Sequence, residues 1–158
     1  MMRISGWTTA LACAASLAAC GGGGGGGAVT QSLPPGFYVK IQNMTFDPTE
    51  LAVPPGATVT VVNMDAVDHS ATSEAAANDF TPGSFGGVSF DTGTFASSTR
   101  TFPIPATGLT DGTHVPYYCK VHTSLMSPAN PTIRIDSTAQ PSVPSWAAST
   151  TTGGMGGM

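Results

Sequence analysis

A cysteine, a histidine and a methionine lie close together in the segment YYCKVHTSLM, residues 117–126. Cys119 offers a thiolate, His122 an imidazole and Met126 a thioether. Thiolate and thioether sulfur suit Cu(I), and imidazole nitrogen suits both Cu(I) and Cu(II). An electron-transfer copper site uses two histidines, one cysteine and a weakly bound axial methionine. The segment therefore contains candidates for three of these four ligands.

A second histidine would have to come from elsewhere in the chain, which has three histidines in all. His69 lies a few residues after the most strongly β-branched stretch of the sequence. His114 precedes Cys119 by five residues on the approaching strand, so its side chain would have to reverse direction to reach a metal at the strand's end. His69 is therefore the preferred candidate, and we expect His114 to face solvent.

The N-terminal residues have the form of a secretory signal, with Arg3 near the start followed by small and apolar residues. The motif LAAC that ends at Cys20 resembles the lipobox of bacterial lipoproteins, in which the cysteine is acylated and becomes the first residue after cleavage. An ordinary export signal is the alternative. The glycine run 21–27 ends the apolar stretch before it reaches the ~20 residues that span a bilayer.

This resemblance predicts an exported protein that is anchored to a lipid membrane through Cys20. A glycine after the cysteine, in place of aspartate, favours the periplasmic face of an outer membrane, and a cell-surface location is also compatible. The predicted organisation is a signal peptide at 1–19, an acylated Cys and flexible glycine-rich linker at 20–36, one domain at 37–136 and a disordered Ser/Thr/Pro/Gly/Met tail at 137–158.

The cysteine count agrees with a metal site. Of the three cysteines, Cys13 lies in the signal and Cys20 is the expected lipid attachment site, so Cys119 alone remains in the domain. A single thiol outside the cytoplasm is open to oxidation unless it is deeply buried or bound to a metal. Ligation would protect it, whereas in the alternative Cys119 is merely a small buried apolar residue.

Period-two patterning between short turns predicts an all-β domain that positions these residues. The predicted strands are 37–43, 57–63, 90–95, 98–104, 114–119 and 131–136. Residues 71–78, with three consecutive alanines, predict a short helix, and residues 79–88 a loop. Short strands over about a hundred residues are typical of a Greek-key β-sandwich, here with about seven to eight strands.

Most of residues 37–136 resembles the plastocyanin-like branch of the cupredoxins, the small blue copper proteins. The resemblance is carried by IQNMTFDPTELAVPPGATVTVVNMDAVDHSATS, FDTGTF and THVPYYCKVHTSLMSPANPTIRID. In that family a histidine after an Asn-x-Asp segment pairs with a Cys-x-x-His…Met loop between the last two strands. The resemblance implies a cupredoxin-like sandwich with one type 1 copper, whose ligands would be His69, Cys119, His122 and Met126.

Three features depart from the family pattern, one of which is Val62 at the end of a strand, where many members have an aromatic residue. Three residues separate His122 from Met126, where members commonly have two or four. Ser70 follows His69 where many members have an asparagine that ties the two ligand loops together. We expect the shorter serine hydroxyl to do part of this work.

The implied function is electron transfer between redox partners outside the cytoplasm, by a monomer that docks its partners transiently and is not an enzyme. A copper oxidase would need further histidines, and His114 alone would be left. The net charge of −4 provides no basic surface for nucleic acid. Loss of residues 1–19 would remove Arg3 and leave a net charge of −5, which would steer in partners with a positive docking face.

Three alternatives stay open at this point. A copper-trafficking or storage lipoprotein could use the same ligands. A metal-free sandwich could serve adhesion or assembly. A zinc site is disfavoured because zinc takes Cys and His ligands and seldom a thioether.

Overall fold

Two four-stranded sheets form the domain in the computed structural model, which describes residues 33–126 and 130–147. The strands are β1 Phe37–Gln42, β2 Thr45–Asp47, β3 Glu50–Val53, β4 Thr58–Asn63, β5 Thr72–Ser73, β6 Thr99–Pro103, β7 His114–Tyr118 and β8 Thr132–Ile135. One helical turn, α1 Thr123–Met126, and a 3-10 turn, Ser145–Ala147, complete the described elements. The prediction of an all-β sandwich with seven to eight strands is confirmed.

The strand order is β2-β1-β4-β6 in one sheet and β3-β8-β7-β5 in the other. β1 and β4 run parallel, with Phe37 opposite Val59 and Ile41 opposite Asn63, so both strands end at the same pole of the sandwich. β5 pairs antiparallel with the end of β7, with Thr72 opposite Tyr118. The chain passes between the sheets after each of β2, β3, β4, β5 and β6, in the Greek-key manner. These crossings bring the loop after β4 to the loop after β7.

Alternating side chains of the strands build the core between the sheets. In β4, Val59, Val61 and Asn63 are buried, while the residues between them are not fully covered. β8 buries Ile133 and Ile135 from the opposite sheet. Each such aliphatic side chain contributes roughly 1.5–3 kcal/mol when it is removed from water. The sheets therefore provide a stable base for the loops at the pole.

Two predicted elements are wrong. Residues 71–78 do not form a helix, because β5 pairs with β7 and the Glu74 amide donates to the Pro116 carbonyl at 3.0 Å. Non-local pairing outweighs the helical preference of the alanine run. Residues 90–95 are not a strand but make two isolated bridges, at Asp91 and Phe95. Gly93, at φ +64°, interrupts the pairing between them.

The C-terminal residues 137–147 lie beside the start of β1. Gly36 and Ser142 exchange two backbone hydrogen bonds of 3.0 Å each. Trp146 packs edge-on against Tyr38, with ring centroids 6.3 Å apart, and Lys40 lies over its indole ring. The first part of the tail thus contacts the strand that follows the linker.

Several predictions concern residues outside the described part of the chain: the signal peptide at 1–19, the acylation site Cys20, the glycine run and the rest of the tail at 148–158. Within the described residues, no helix has the length and apolar character needed to cross a membrane.

Candidate metal centre

The loop after β4 and the loop after β7 meet at one pole and bring three donor side chains together. His69 is held by two backbone hydrogen bonds of 3.0 Å with Phe95, one in each direction. Cys119 follows directly after β7, and His122 lies three residues further on. Their three donor atoms all lie within 4.8 Å of one another. The residues chosen from the sequence are therefore neighbours in the fold.

The spacing of these atoms suits a single ion. Nδ1 of His69 and Nδ1 of His122 are 3.2 Å apart. Sγ of Cys119 lies 3.7 Å from the first of these nitrogens and 3.9 Å from the second. Metal bonds of roughly 2.0–2.3 Å place three ligands in a plane roughly 3.5–4 Å apart. One ion can therefore contact all three atoms at once.

The chemistry of the donors selects among metals. One thiolate and two imidazoles in a trigonal arrangement, with a thioether nearby, form the donor set of a type 1 copper site. The site would not suit calcium or magnesium, which take oxygen ligands. The residues present fit one type 1 copper ion.

Burial differs among the donors. The side chains of His69 and Cys119 are 0% exposed, whereas His122 is partly exposed. Burial lowers the pKa of His69, against the opposing effect of its hydrogen bond to Asp65. A lowered pKa keeps the imidazole neutral, which is the form that binds a metal.

Met126 lies on α1, the helical turn that follows His122. Its amide donates to the His122 carbonyl at 3.0 Å, and its side chain is buried in the core cluster. Residues four apart in a helical turn lie on the same side. The three residues between His122 and Met126 therefore form one helical turn, which brings Met126 to the same side as His122. The structure places Met126 on the inner side of the loop that carries His122.

Ser70 ties the two ligand loops together, as expected from the sequence. Its backbone N–H donates to Sγ of Cys119 at 3.4 Å, and its hydroxyl accepts the Lys120 amide at 2.9 Å. A hydrogen bond to the sulfur stabilises the thiolate form. Ser70 thus holds the cysteine loop by both its backbone and its side chain.

A second connection between the same loops runs through Asp91. The Lys120 ammonium donates to one carboxylate oxygen of Asp91 at 2.6 Å, and the Thr72 hydroxyl donates to the other at 3.0 Å. The Thr72 hydroxyl lies 3.3 Å from that of Ser70. Ser70, Thr72, Asp91 and Lys120 therefore form a closed ring beside the cysteine.

Asp65 was missed in the sequence, although it contacts a predicted ligand. Its carboxylate lies 3.0 Å from Nε2 of His69, four residues further along the chain. The amide of Met44, more than any other group, lowers the pKa of Asp65, and the Asn43 amide acts in the same direction. The Asn-x-Asp segment was recognised only as a family feature. The position of Asp65, four residues before His69, was the sequence feature that could have predicted this contact.

His114 lies apart from the donors, as expected. It begins β7, five residues before Cys119, which corresponds to about 16 Å along an extended strand. Its ring is about half exposed, and Nδ1 lies 3.2 Å from a carboxylate oxygen of Glu50. His114 therefore makes a surface contact with a carboxylate, away from the donors.

No protein-family model matches this chain, and no curated protein sequence gives a significant match. Solved structures of amicyanin mutants are similar at low identity. An oxidised mutant is 18% identical with a TM-score of 0.47, over 68% of this chain and 88% of that one. A reduced Cu(I) form of another mutant is 18% identical with a TM-score of 0.49, over the same shares. The metal assignment above rests on the donor atoms of this chain alone.

Proposed function

We propose that this chain is a type 1 copper protein that carries single electrons between redox partners outside the cytoplasm. The observation that supports this most strongly is the convergence of one buried thiolate and two imidazole nitrogens at 3.2–3.9 Å. A rigid set of soft and borderline donors can hold Cu(I) and Cu(II) in nearly one geometry. The proposed ligands are His69, Cys119, His122 and Met126.

The bound copper would supply the one-electron chemistry, and the chain would keep the ligands fixed. The backbone of His69 is fixed by Phe95, and the sulfur of Cys119 receives the Ser70 amide. The ring of hydrogen bonds through Asp91 joins the loops around them. Because these contacts do not involve the metal, the ligand positions should change little when the charge of the ion changes.

His122 provides the route by which electrons would enter and leave. It is the partly exposed donor, and the apolar side chains Val121 and Leu125 beside it are 47% and 64% exposed. Met64 and Val67, in the loop before His69, are also exposed. An exposed apolar patch of this kind suits brief docking of a partner with little desolvation cost.

The overall charge would act on association at a distance. Without residues 1–19 the chain carries a net charge of −5, so a partner with a positive docking face would be steered towards it. The association rate should fall as the salt concentration rises, because surface charges are screened.

Anchoring through an acylated Cys20 is part of the same proposal. The described chain approaches β1 from Gly36, and the donors lie beyond the other end of β1. Six residues of strand correspond to about 20 Å. A flexible tether that joins the domain there is attached at the pole opposite the donors, which leaves the metal pole accessible to soluble partners.

Electron transfer is distinguished from copper trafficking by reversibility. Loaded with one equivalent of copper, the full chain should give a fast, reversible one-electron wave in voltammetry and should lose copper slowly to a chelator, since two donors are buried. Slow electron exchange with rapid loss of copper would favour trafficking or storage. The variant His114→Ala serves as a control, because it removes a histidine remote from the donors and should change neither measurement.

A further inference from the structure

Asp65 connects the ligand His69 to two other segments of the chain. Its carboxylate accepts the amides of Asn43 at 2.8 Å and Met44 at 3.0 Å, and it lies 3.0 Å from Nε2 of His69. Its carbonyl accepts both the amide and the hydroxyl of Ser97, at 3.0 and 3.1 Å. The side chain is 15% exposed. Three segments of the chain therefore meet at this one residue: the turn at Asn43 and Met44, the loop that carries His69, and the segment at Ser97.

The contact with His69 determines which ring nitrogen is available to a metal. A carboxylate only accepts hydrogen bonds, so the facing Nε2 must carry the proton. A neutral imidazole has one ring proton, which leaves Nδ1 with a free lone pair. That atom is the one that lies 3.7 Å from Sγ of Cys119 and 3.2 Å from Nδ1 of His122.

The other contacts of the Asp65 carboxylate connect His69 to the turn at Asn43 and Met44, which lies beside Met126. Asn43 and Met44 both adopt positive φ, at 53° and 60°, a conformation that side chains other than glycine adopt infrequently. The carboxylate stabilises this turn by accepting both amides. Met44 then lines a cavity of about 30 Å³ together with Leu125 and Met126.

We propose that Asp65 is a positioning residue of the metal centre, which fixes the tautomer and orientation of His69 and couples them to the turn that packs beside Met126. This inference rests on the proposed function only for the identity of the metal. The tautomer follows from the chain's own contacts. As a negative charge next to a ligand, Asp65 also favours Cu(II) over Cu(I) and so lowers the reduction potential.

Two substitutions separate the hydrogen bond from the charge. Asp65→Asn removes the charge and leaves only one acceptor oxygen. That oxygen cannot accept hydrogen bonds from two backbone N–H groups and the His69 ring N–H as the two carboxylate oxygens do. Asp68→Asn is the matched control. It removes the same charge from the same loop, directly before His69, and Asp68 is exposed and without a side-chain hydrogen bond among the described residues.

The first measurement uses nitrogen-15 NMR of the metal-free full chain at neutral pH. The ring of His69 should be protonated at Nε2 in the unmodified chain and in Asp68→Asn, with a slowly exchanging proton. A His69 ring protonated at Nδ1 in the unmodified chain would overturn the proposal. This readout needs no metal and no variant, so it stands even if copper binding fails or Asp65→Asn does not fold.

The second measurement is Cu(II) affinity by competition with a chelator, together with the reduction potential. Loss of a group that hydrogen-bonds to a metal ligand typically costs about 10- to 100-fold in metal affinity. Asp65→Asn should show a loss of this size and a raised potential, Asp68→Asn a much smaller change, and Asp65→Glu a partial recovery. Equal losses of Cu(II) affinity in the two asparagine variants would show that Asp65 acts only through its charge, and would contradict its role as a positioning residue. Absence of copper binding by the unmodified chain would instead contradict the proposed function.

Discussion

The two histidines of the metal centre are held in opposite ways. His69 is fully buried, its backbone is paired with Phe95, and its outer nitrogen faces a carboxylate. His122 is partly exposed, and the ring contacts described for it are those with Sγ of Cys119 and Nδ1 of His69. One imidazole is fixed by the protein, whereas the other is open to solvent. The comparison indicates that His69 secures the metal and His122 connects it to partners.

The largest expected effect comes from deleting each imidazole in turn. His122→Gly should weaken copper binding but leave an opening to solvent that added imidazole can enter, which restores the visible band. His69→Gly should abolish the band, and added imidazole should not restore it, because the position is fully buried. The absorption of each variant is measured with and without imidazole. Rescue of both variants, or of neither, would remove the distinction between the two histidines.

The next largest effect concerns Met126. Met126→Leu conserves volume and should cost less than about 1.5 kcal/mol of folding free energy. Copper should remain bound, with a raised reduction potential, because a weak donor to Cu(II) is lost. Met126→Gln offers a hard oxygen that favours Cu(II) and should lower the potential. Voltammetry of both variants checks these directions, and identical potentials in all three proteins would exclude Met126 as an axial ligand.

The smallest expected effect comes from removing the Ser70 hydroxyl, which connects the two ligand loops. Ser70→Ala leaves the partly buried Lys120 amide without its acceptor, which should cost about 1 kcal/mol, at the low end of the roughly 1–3 kcal/mol for a fully buried donor. Urea unfolding of the metal-free chain gives this value. Ser98→Ala removes an exposed hydroxyl and should stay within about 0.5 kcal/mol. Equal stability of the two variants would show that the bond is replaceable by water.

The strands that precede and follow the donor loops were predictable because most of them alternate apolar and polar residues or are rich in β-branched and aromatic residues. β1, β4, β6, β7 and β8 match the sequence pattern closely. β2 and β5 are only two or three residues long, and β3, with four residues, does not alternate, whereas β8, also with four residues, does. Patterning therefore locates strands that alternate and misses short edge strands that depend on pairing with distant segments.

The donor residues were predictable for a different reason. Cysteine, histidine and methionine together at short spacing occur in few kinds of site other than metal centres. A thiolate, imidazoles and a thioether at these spacings indicate one metal chemistry. Aspartates carry no such signal, since most lie on the surface. Asp65 and Asp91 act through backbone amides and side chains as distant in sequence as Asn43 and Lys120. Trp146 was missed because a compositional average does not register one aromatic contact.

The central claim is that Cys119 binds one copper ion between two imidazoles. The most direct measurement is the visible spectrum of the full chain during titration with Cu(II), alongside Cys119→Ser. An intense thiolate-to-Cu(II) band that saturates at one equivalent, and that Cys119→Ser lacks entirely, is the predicted result. Absence of the band from the unmodified chain, or its persistence in Cys119→Ser, would contradict the claim.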